Sequence, residues 1–478
     1  MKKKIAISLA IALIIIAAIS AKYFYFQNQP TSENTNITNT NNESPIDTNT
    51  ETSSNNPTIA AGAEIYVAPS GNDNSGNGSL TNPLKTIAKA IELAEPGNKI
   101  VLRTGTYPEN ELRIREPDIT IMSKDGEWGI IQKALPKGED DYDSAIYFDV
   151  DAHRGRLSRV EVIGGFYAIS TETKWEWGNA NDRKGTSDLI IEKSKIHGSG
   201  RDAIKIKPES DNIQILDNEI YDTGKTESRS DCNAEAIDNV NGDNMTVKGN
   251  YIHDICSNGV YAKGGAIKAI IENNIIENVG GMGIGVGFDT SPEFFDLKVN
   301  PNYYENLNGI VRNNFIKNTG LAGIGLYASK DALVENNTIQ DVANGNDHAA
   351  IYFGVTLQDY DDKAKRPANI NPTIRNNIVS QSNKITQPTI GIRFANEING
   401  LSALQGGVNM SGNCYYQAGS AFSFFDNRPG IEIENGSFAQ WKSHIKSDTD
   451  SLEADPKLGT DHLPAAGSAC TGKGYRKA

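Results

Sequence analysis

Short alternations of apolar and polar residues recur along the chain from about Ala60, and few are long enough to be helices. One unit repeats as x-Gly/Ala-Ile-x-x-x. Its copies begin at Ser144, Tyr167, Asp202, Glu235, Asn258, Met282, Ala322, Ala349 and Ile390. The third position is always Ile or Val and the fifth is mostly apolar. In a period-two strand both face a core, and the fourth and sixth positions face outward.

A second repeat follows each strand by roughly half a coil. An Asn precedes an apolar pair or near-pair at Asn218, Asn250, Asn274, Asn314, Asn337, Asn377 and Asn413. The shortest intervals are 24 residues (Asn250 to Asn274) and 23 (Asn314 to Asn337), and the longer ones carry insertions. Asn tolerates left-handed backbone, and stacked amides can hydrogen-bond from coil to coil. The two repeats together predict an all-β, single-stranded right-handed parallel β-helix, a solenoid. Thr86 to Ala94, stopped by Pro96-Gly97, reads as an N-terminal capping helix, which solenoids need for solubility. Ser437 to Lys446 reads as a second helix.

The pattern differs before residue 61. Lys2 to Lys4 followed by the apolar run Ile5 to Ala21 predicts a signal peptide or an N-terminal membrane anchor over 1–26. The Asn/Thr/Ser-rich stretch 27–60 predicts a disordered tether, because it has too little apolar surface to offset ordering entropy. The β-helix then occupies 61–478. Either N-terminal reading puts the body outside the cytoplasm, with membrane contact only through this segment, and a monomer is expected.

The net charge of −14 argues against nucleic acid, which calls for a basic stripe. The six His residues show no metal-ligand spacing. Cys232 and Cys256, 24 residues apart, occupy similar places before adjacent strands, which is compatible with a disulfide and equally with two buried thiols. Cys414 and Cys470 are a second potential pair across the last coil.

Stacking the strand copies gives outward columns. The fourth-position column runs Tyr147, Ser170, Lys205, Asp238, Tyr261, Gly285, Gly325, Tyr352, Arg393, and the sixth includes Lys207, Lys263 and Tyr327. Charge concentrates between Asp202 and Lys263, and glycines beyond it suggest a bare floor. Trp175 and Trp177 in one insertion, and Phe294, Phe295, Tyr303 and Tyr304 in another, would wall a groove suited to an extended polysaccharide. Outward charges on a solenoid are commonly solvated or paired across strands. Asp202 and Glu235, however, are like charges stacked one coil apart, an arrangement that is costly without a cation.

The segments Ile65-Tyr66-Val67-Ala68-Pro69-Ser70-Gly71-Asn72-Asp73, Asn82-Pro83-Leu84-Lys85-Thr86-Ile87 and Pro96-Gly97-Asn98-Lys99-Ile100 resemble the start of many secreted right-handed β-helix proteins. Polysaccharide lyases of the pectate-lyase-like superfamily are among them. The chain is loosely similar to family 9 polysaccharide lyases, which bind Ca²⁺ and use a Lys base. That resemblance implies Asp202, Glu235 and Asp238 as metal ligands. It also shows departures: Ala234 replaces one carboxylate, and Tyr261 stands where the base belongs, with Lys263 two residues on.

Elimination on a uronic acid needs a cation to neutralise the carboxylate and a base to take the α-proton. Lys263 is the expected base, Lys205 the second choice and Tyr261 an alternative proton carrier. Lys207, Arg393, Tyr327, Tyr352, Trp175 and Trp177 are the expected substrate contacts. The reading is thus a Ca²⁺-dependent lyase on an acidic polysaccharide. An epimerase, a hydrolase using paired carboxylates, and a non-catalytic glycan-binding or structural protein are the alternatives. A carboxylate separation of roughly 5 to 9.5 Å facing an open groove would favour hydrolysis. A groove blocked by the 288–308 insertion, with every charge paired, would favour a non-catalytic role.

Overall fold

The first eight strand copies pair in parallel register through their third positions: Ile146 with Ile169, then Ile204, Ile237, Val260, Ile284, Ile324 and Ile351. A computed structural model describes residues 59–477, apart from 138–140, 175–182, 226–231, 346–347, 357–365, 397–399 and 420–422. The N-terminal segment, the tether as far as residue 58, Trp175 and Trp177 therefore lie outside the described residues.

Among the described residues, three sheets of 12 strands, parallel except for one terminal strand, build the solenoid. A coil visits them in turn. The first sheet runs from Glu64–Val67 to Asn409–Ser411 and the second from Gly105–Pro108 to Leu452–Glu453. The third, which carries the repeated strand, runs from Leu112–Ile114 to Phe424–Asp426 and ends in the antiparallel strand Ile433–Gly436. A five-stranded ribbon, Ala266–Ile267 to Leu404–Gln405, fills the corner between the third sheet and the first over the later coils. The inward Ile and Val side chains form one continuous core.

The Asn ladder forms the corner between the first and second sheets. Asn274 donates from its backbone N–H and from Nδ2 to Asn314 Oδ1, at 3.0 and 2.9 Å, and from Nδ2 to the Val247 carbonyl at 2.9 Å. The pattern repeats from Asn218 to Asn413. The left-handed residue is the one before each ladder Asn: Asp217, Gly249, Asn273, Asn313, Asn336, Asn376 and Gly412. The ladder Asn is thus selected for its amide, and the preceding short polar residue or Gly turns the chain.

The helix Ile87–Leu93, N-capped by Thr86, packs Ile87 and Ala90 into the core beside the first strands. The helix Phe438–Ile445 has a Ser437–Gln440 capping box and a left-handed C-cap at Lys446, and buries Trp441. Among the described residues no helix is long and apolar enough to cross a membrane. Both Cys pairs are disulfides, with Cα–Cα separations of 5.7 Å for Cys232–Cys256 and 5.8 Å for Cys414–Cys470.

Candidate functional site

The outward face of the third sheet changes character along the solenoid. In the early coils its charges are paired. Arg113 bonds Glu111 and Asp149 at 2.7 and 2.6 Å and stacks over Tyr147. Lys207 bonds Glu172 at 2.8 Å. In the late coils it is apolar. Met282, Ala322, Tyr327, Ala349 and Tyr352 form a second cluster with Phe288, Leu321 and Phe425. Met282 and Tyr327 roof Gly325, and Phe425 roofs Gly391, so the expected bare floor is covered.

Between these zones three carboxylates meet. Asp202 sits just before the strand Ile204–Ile206, and Glu235 and Asp238 flank the start of the neighbouring strand Ile237–Val240. Each is at most 2% exposed, and one oxygen from each lies within 4.8 Å of the others. Glu235 Oε1 accepts from Ser257 Oγ at 2.9 Å and Asn258 Nδ2 at 3.1 Å, both from the next coil. Asp202 Oδ1 accepts from the Glu235 backbone N–H at 3.2 Å. Lys205 donates to Asp238 Oδ2 and lies 3.7 Å from Asp202 Oδ2. Arg201 Nε lies 3.8 Å from Asp202 Oδ1. One oxygen of each carboxylate, Asp202 Oδ2, Glu235 Oε2 and Asp238 Oδ1, is buried with no hydrogen-bond partner.

Burial pushes the Asp202 carboxyl well above the usual range, and the Glu235 charge adds to it against the pull of Lys205. Burial opposes the ionised form of Asp238 too, but the Lys205 ammonium, with Lys263 and Arg201 beyond, holds its carboxyl below the usual range. An all-oxygen donor set with three open, buried valences fits a hard dication, which takes 6–8 oxygens. Solvent or substrate would complete the shell.

Glu235 and Asp238 open on a cleft of about 650 Å³. Its lining includes Arg201, Lys205, Tyr261, Lys263, Phe288 and Phe294. Lys263 Nζ donates to Tyr261 OH at 3.2 Å and to the Asp289 carbonyl at 3.3 Å. Burial, followed by the Asp238 and Glu235 charges, pushes the Tyr261 phenol well above its ordinary value. The 288–304 insertion forms one wall. It is fastened by a buried ion pair, Arg366 Nε to Glu305 Oε1 at 2.7 Å, with Arg366 also donating to the Thr290 carbonyl and stacking over Phe295. Glu305 Oε2 accepts from Thr290 Oγ1 at 2.7 Å and from the Gly264 N–H at 2.8 Å.

The structure therefore brings Asp202, Glu235, Asp238, Lys205, Tyr261 and Lys263 together. The other expected substrate contacts are placed differently. Tyr327 and Tyr352 are buried in the apolar cluster, with Tyr327 OH 2.9 Å from His348 Nε2, so no ring face is offered to a sugar. Lys207 is held by Glu172, outside the cleft lining. Arg393 is displaced by register: Ile390 pairs with Ile351 and Gly391 with Tyr352, which puts Gly391 in the fourth position and Arg393 in the sixth. Phe295 and Tyr303 pack on each other under Arg366, and Phe294 lines the cleft. Arg201 was missed; its position beside Asp202 at the open end of a strand was the available signal.

The chain is a right-handed parallel β-helix. A family model described as a right-handed β-helix region matches residues 235–443, and one described as a protein of unknown function (DUF1565) matches residues 69–116. No curated protein sequence matches the chain. Among solved structures, the A-module of the Azotobacter vinelandii mannuronan C-5 epimerase AlgE4 is similar at 14% identity and TM-score 0.50, over 72% of this chain and 92% of that one. The Yersinia enterocolitica family 28 exopolygalacturonase is similar at 14% identity and TM-score 0.50, over 74% and 72%. The pectate lyase Pel9A is similar at 14% identity and TM-score 0.46, over 70% and 79%. The epimerase module and the exopolygalacturonase thus share this fold, which leaves the reaction to be argued from the site.

Proposed function

We propose that the protein acts on an acidic polysaccharide by cation-assisted β-elimination, with Asp202, Glu235 and Asp238 holding Ca²⁺. The observation that carries this reading is the set of three buried carboxylate oxygens without hydrogen-bond partners, one per residue, with Glu235 and Asp238 lining an open cleft. A bound dication would neutralise the substrate uronate and so acidify its α-proton. Lys263 Nζ, at the cleft wall, takes that proton as the free amine and becomes the ammonium. Tyr261, kept as a phenol by burial, supplies a proton to the leaving oxygen. Arg201 steers the anionic chain towards the site.

The crowding of three carboxylates favours a shared cation over a hydrolytic pair. One oxygen from each lies within 4.8 Å of the others, and one oxygen of each lacks a hydrogen-bond partner, as a shared cation requires. The open cleft and the oxygens without hydrogen-bond partners likewise differ from the blocked, fully paired groove that a purely structural role calls for. The same proposal places the body outside the cytoplasm, supported by the Lys2–Lys4 and Ile5–Ala21 pattern and by the two disulfides.

The test offers polygalacturonate, alginate and glycosaminoglycans with Ca²⁺ or a chelator, and follows ultraviolet absorbance of unsaturated ends. Absorbance should rise with Ca²⁺ on one acidic polymer and vanish with chelator. Lys263→Ala should lower the rate by about 10²–10⁴-fold with Ca²⁺ binding retained. No signal on any acidic polymer overturns the lyase reading, and full activity in Lys263→Ala overturns the base.

A further inference from the structure

We propose that Lys205 is a tethered counter-ion seated in the cation site, which a divalent ion must displace to bind. The inference rests on the cation site proposed above. Lys205 reaches the carboxylates from the neighbouring coil, in strand register with Asp238. Its side chain is 14% exposed, and its ammonium bonds Asp238 Oδ2 and lies 3.7 Å from Asp202 Oδ2. It thus supplies positive charge to two of the three carboxylates while the protein holds no metal.

The ammonium does not complete the site. It has three N–H donors in a compact head. Asp202 Oδ2, Glu235 Oε2 and Asp238 Oδ1 lack hydrogen-bond partners despite its presence. A dication coordinates all three groups at once, and ammonium and dication repel strongly at such short range. Lys205 lines the cleft, so its flexible stem has open space into which the head can move. Its work in the metal-free protein is to keep three buried carboxylates tolerable, and its consequence is a weaker hold on the metal.

The experiment is Ca²⁺ titration calorimetry on the whole protein and on Lys205→Met, Lys205→Gln and Lys205→Arg. Lys205→Met and Lys205→Gln should bind Ca²⁺ at least about tenfold more tightly, with unchanged stoichiometry. Lys205→Arg, which keeps the charge, should stay within about threefold of the parent. Without metal, Lys205→Met should unfold at a lower temperature than the parent, and Ca²⁺ should raise its midpoint by more. Equal or weaker binding by Lys205→Met and Lys205→Gln, with parental binding intact, overturns the counter-ion role alone. Absence of binding to every form overturns the cation site and this proposal with it.

Discussion

The Asn ladder and the carboxylate cluster are both stacks of buried polar groups passed from one coil to the next, and they differ in closure. Between the two ends of the ladder, each Oδ1 accepts two N–H groups from the preceding Asn, and each Nδ2 reaches both the next Asn and a strand carbonyl. In the cluster three oxygens are left open in a comparable degree of burial. A buried polar group without a partner costs about 1–3 kcal/mol, more when charged. A closed stack therefore supports the fold, whereas an open stack is costly unless something arrives to close it.

The comparison can be broken most forcefully at the ladder. Asn314→Ala removes bonds to both neighbouring coils, and denaturant unfolding should show a loss of about 3 kcal/mol with Ca²⁺ affinity unchanged. Glu235→Gln should do the reverse. Calorimetry should report a loss of Ca²⁺ affinity of at least ~10–100-fold, while the metal-free variant is no less stable than the parent, since one of three crowded charges is gone.

A subtler test uses pH. The Asp202 carboxyl is raised in the folded state, so its contribution to stability is fully present below the unfolded carboxylate pKa of about 4 and is lost as pH rises through the folded value. Metal-free Asp202→Asn should be more stable than the parent at pH 7, with the advantage shrinking as pH falls towards about 4. Asp238 runs the other way: its lowered carboxyl contributes stability at neutral pH that is lost on acidification below the ordinary range. The smallest effect is expected at Lys207, whose ion pair with Glu172 is partly exposed. Lys207→Ala should change stability by less than about 1 kcal/mol and leave substrate turnover unaltered.

Much of this was legible in the sequence, because a parallel solenoid repeats its constraints. Position three of each strand and the corner Asn must be filled the same way in every coil, so their spacing alone predicted the register from Ile146 to Ile351. The pattern failed at Arg393, where Ile390 and Ile392 both satisfy the motif and only the neighbouring strand decides between them. Alternation also separates inward from outward without separating outward from exposed. Tyr327 and Tyr352 point away from the core and are nevertheless buried, because Met282, Phe288 and Phe425 build a second apolar layer over them. Asp202 and Glu235 stood out because like charges stacked one coil apart break the expectation of paired charge, and the family resemblance added Asp238. Arg201 lies outside the repeated motif and carried no periodic signal.

The Glu305–Arg366 pair has a consequence for how this cleft can diversify. It joins the base of the 288–304 wall to a residue two strands further along the corner ribbon, with both side chains at most 1% exposed. Trimming the wall while keeping either partner would strand an uncompensated charge in the interior. The insertion and Arg366 are thus inherited or exchanged as a linked cassette, and a loop graft meant to re-tailor the groove has to carry both halves of the lock.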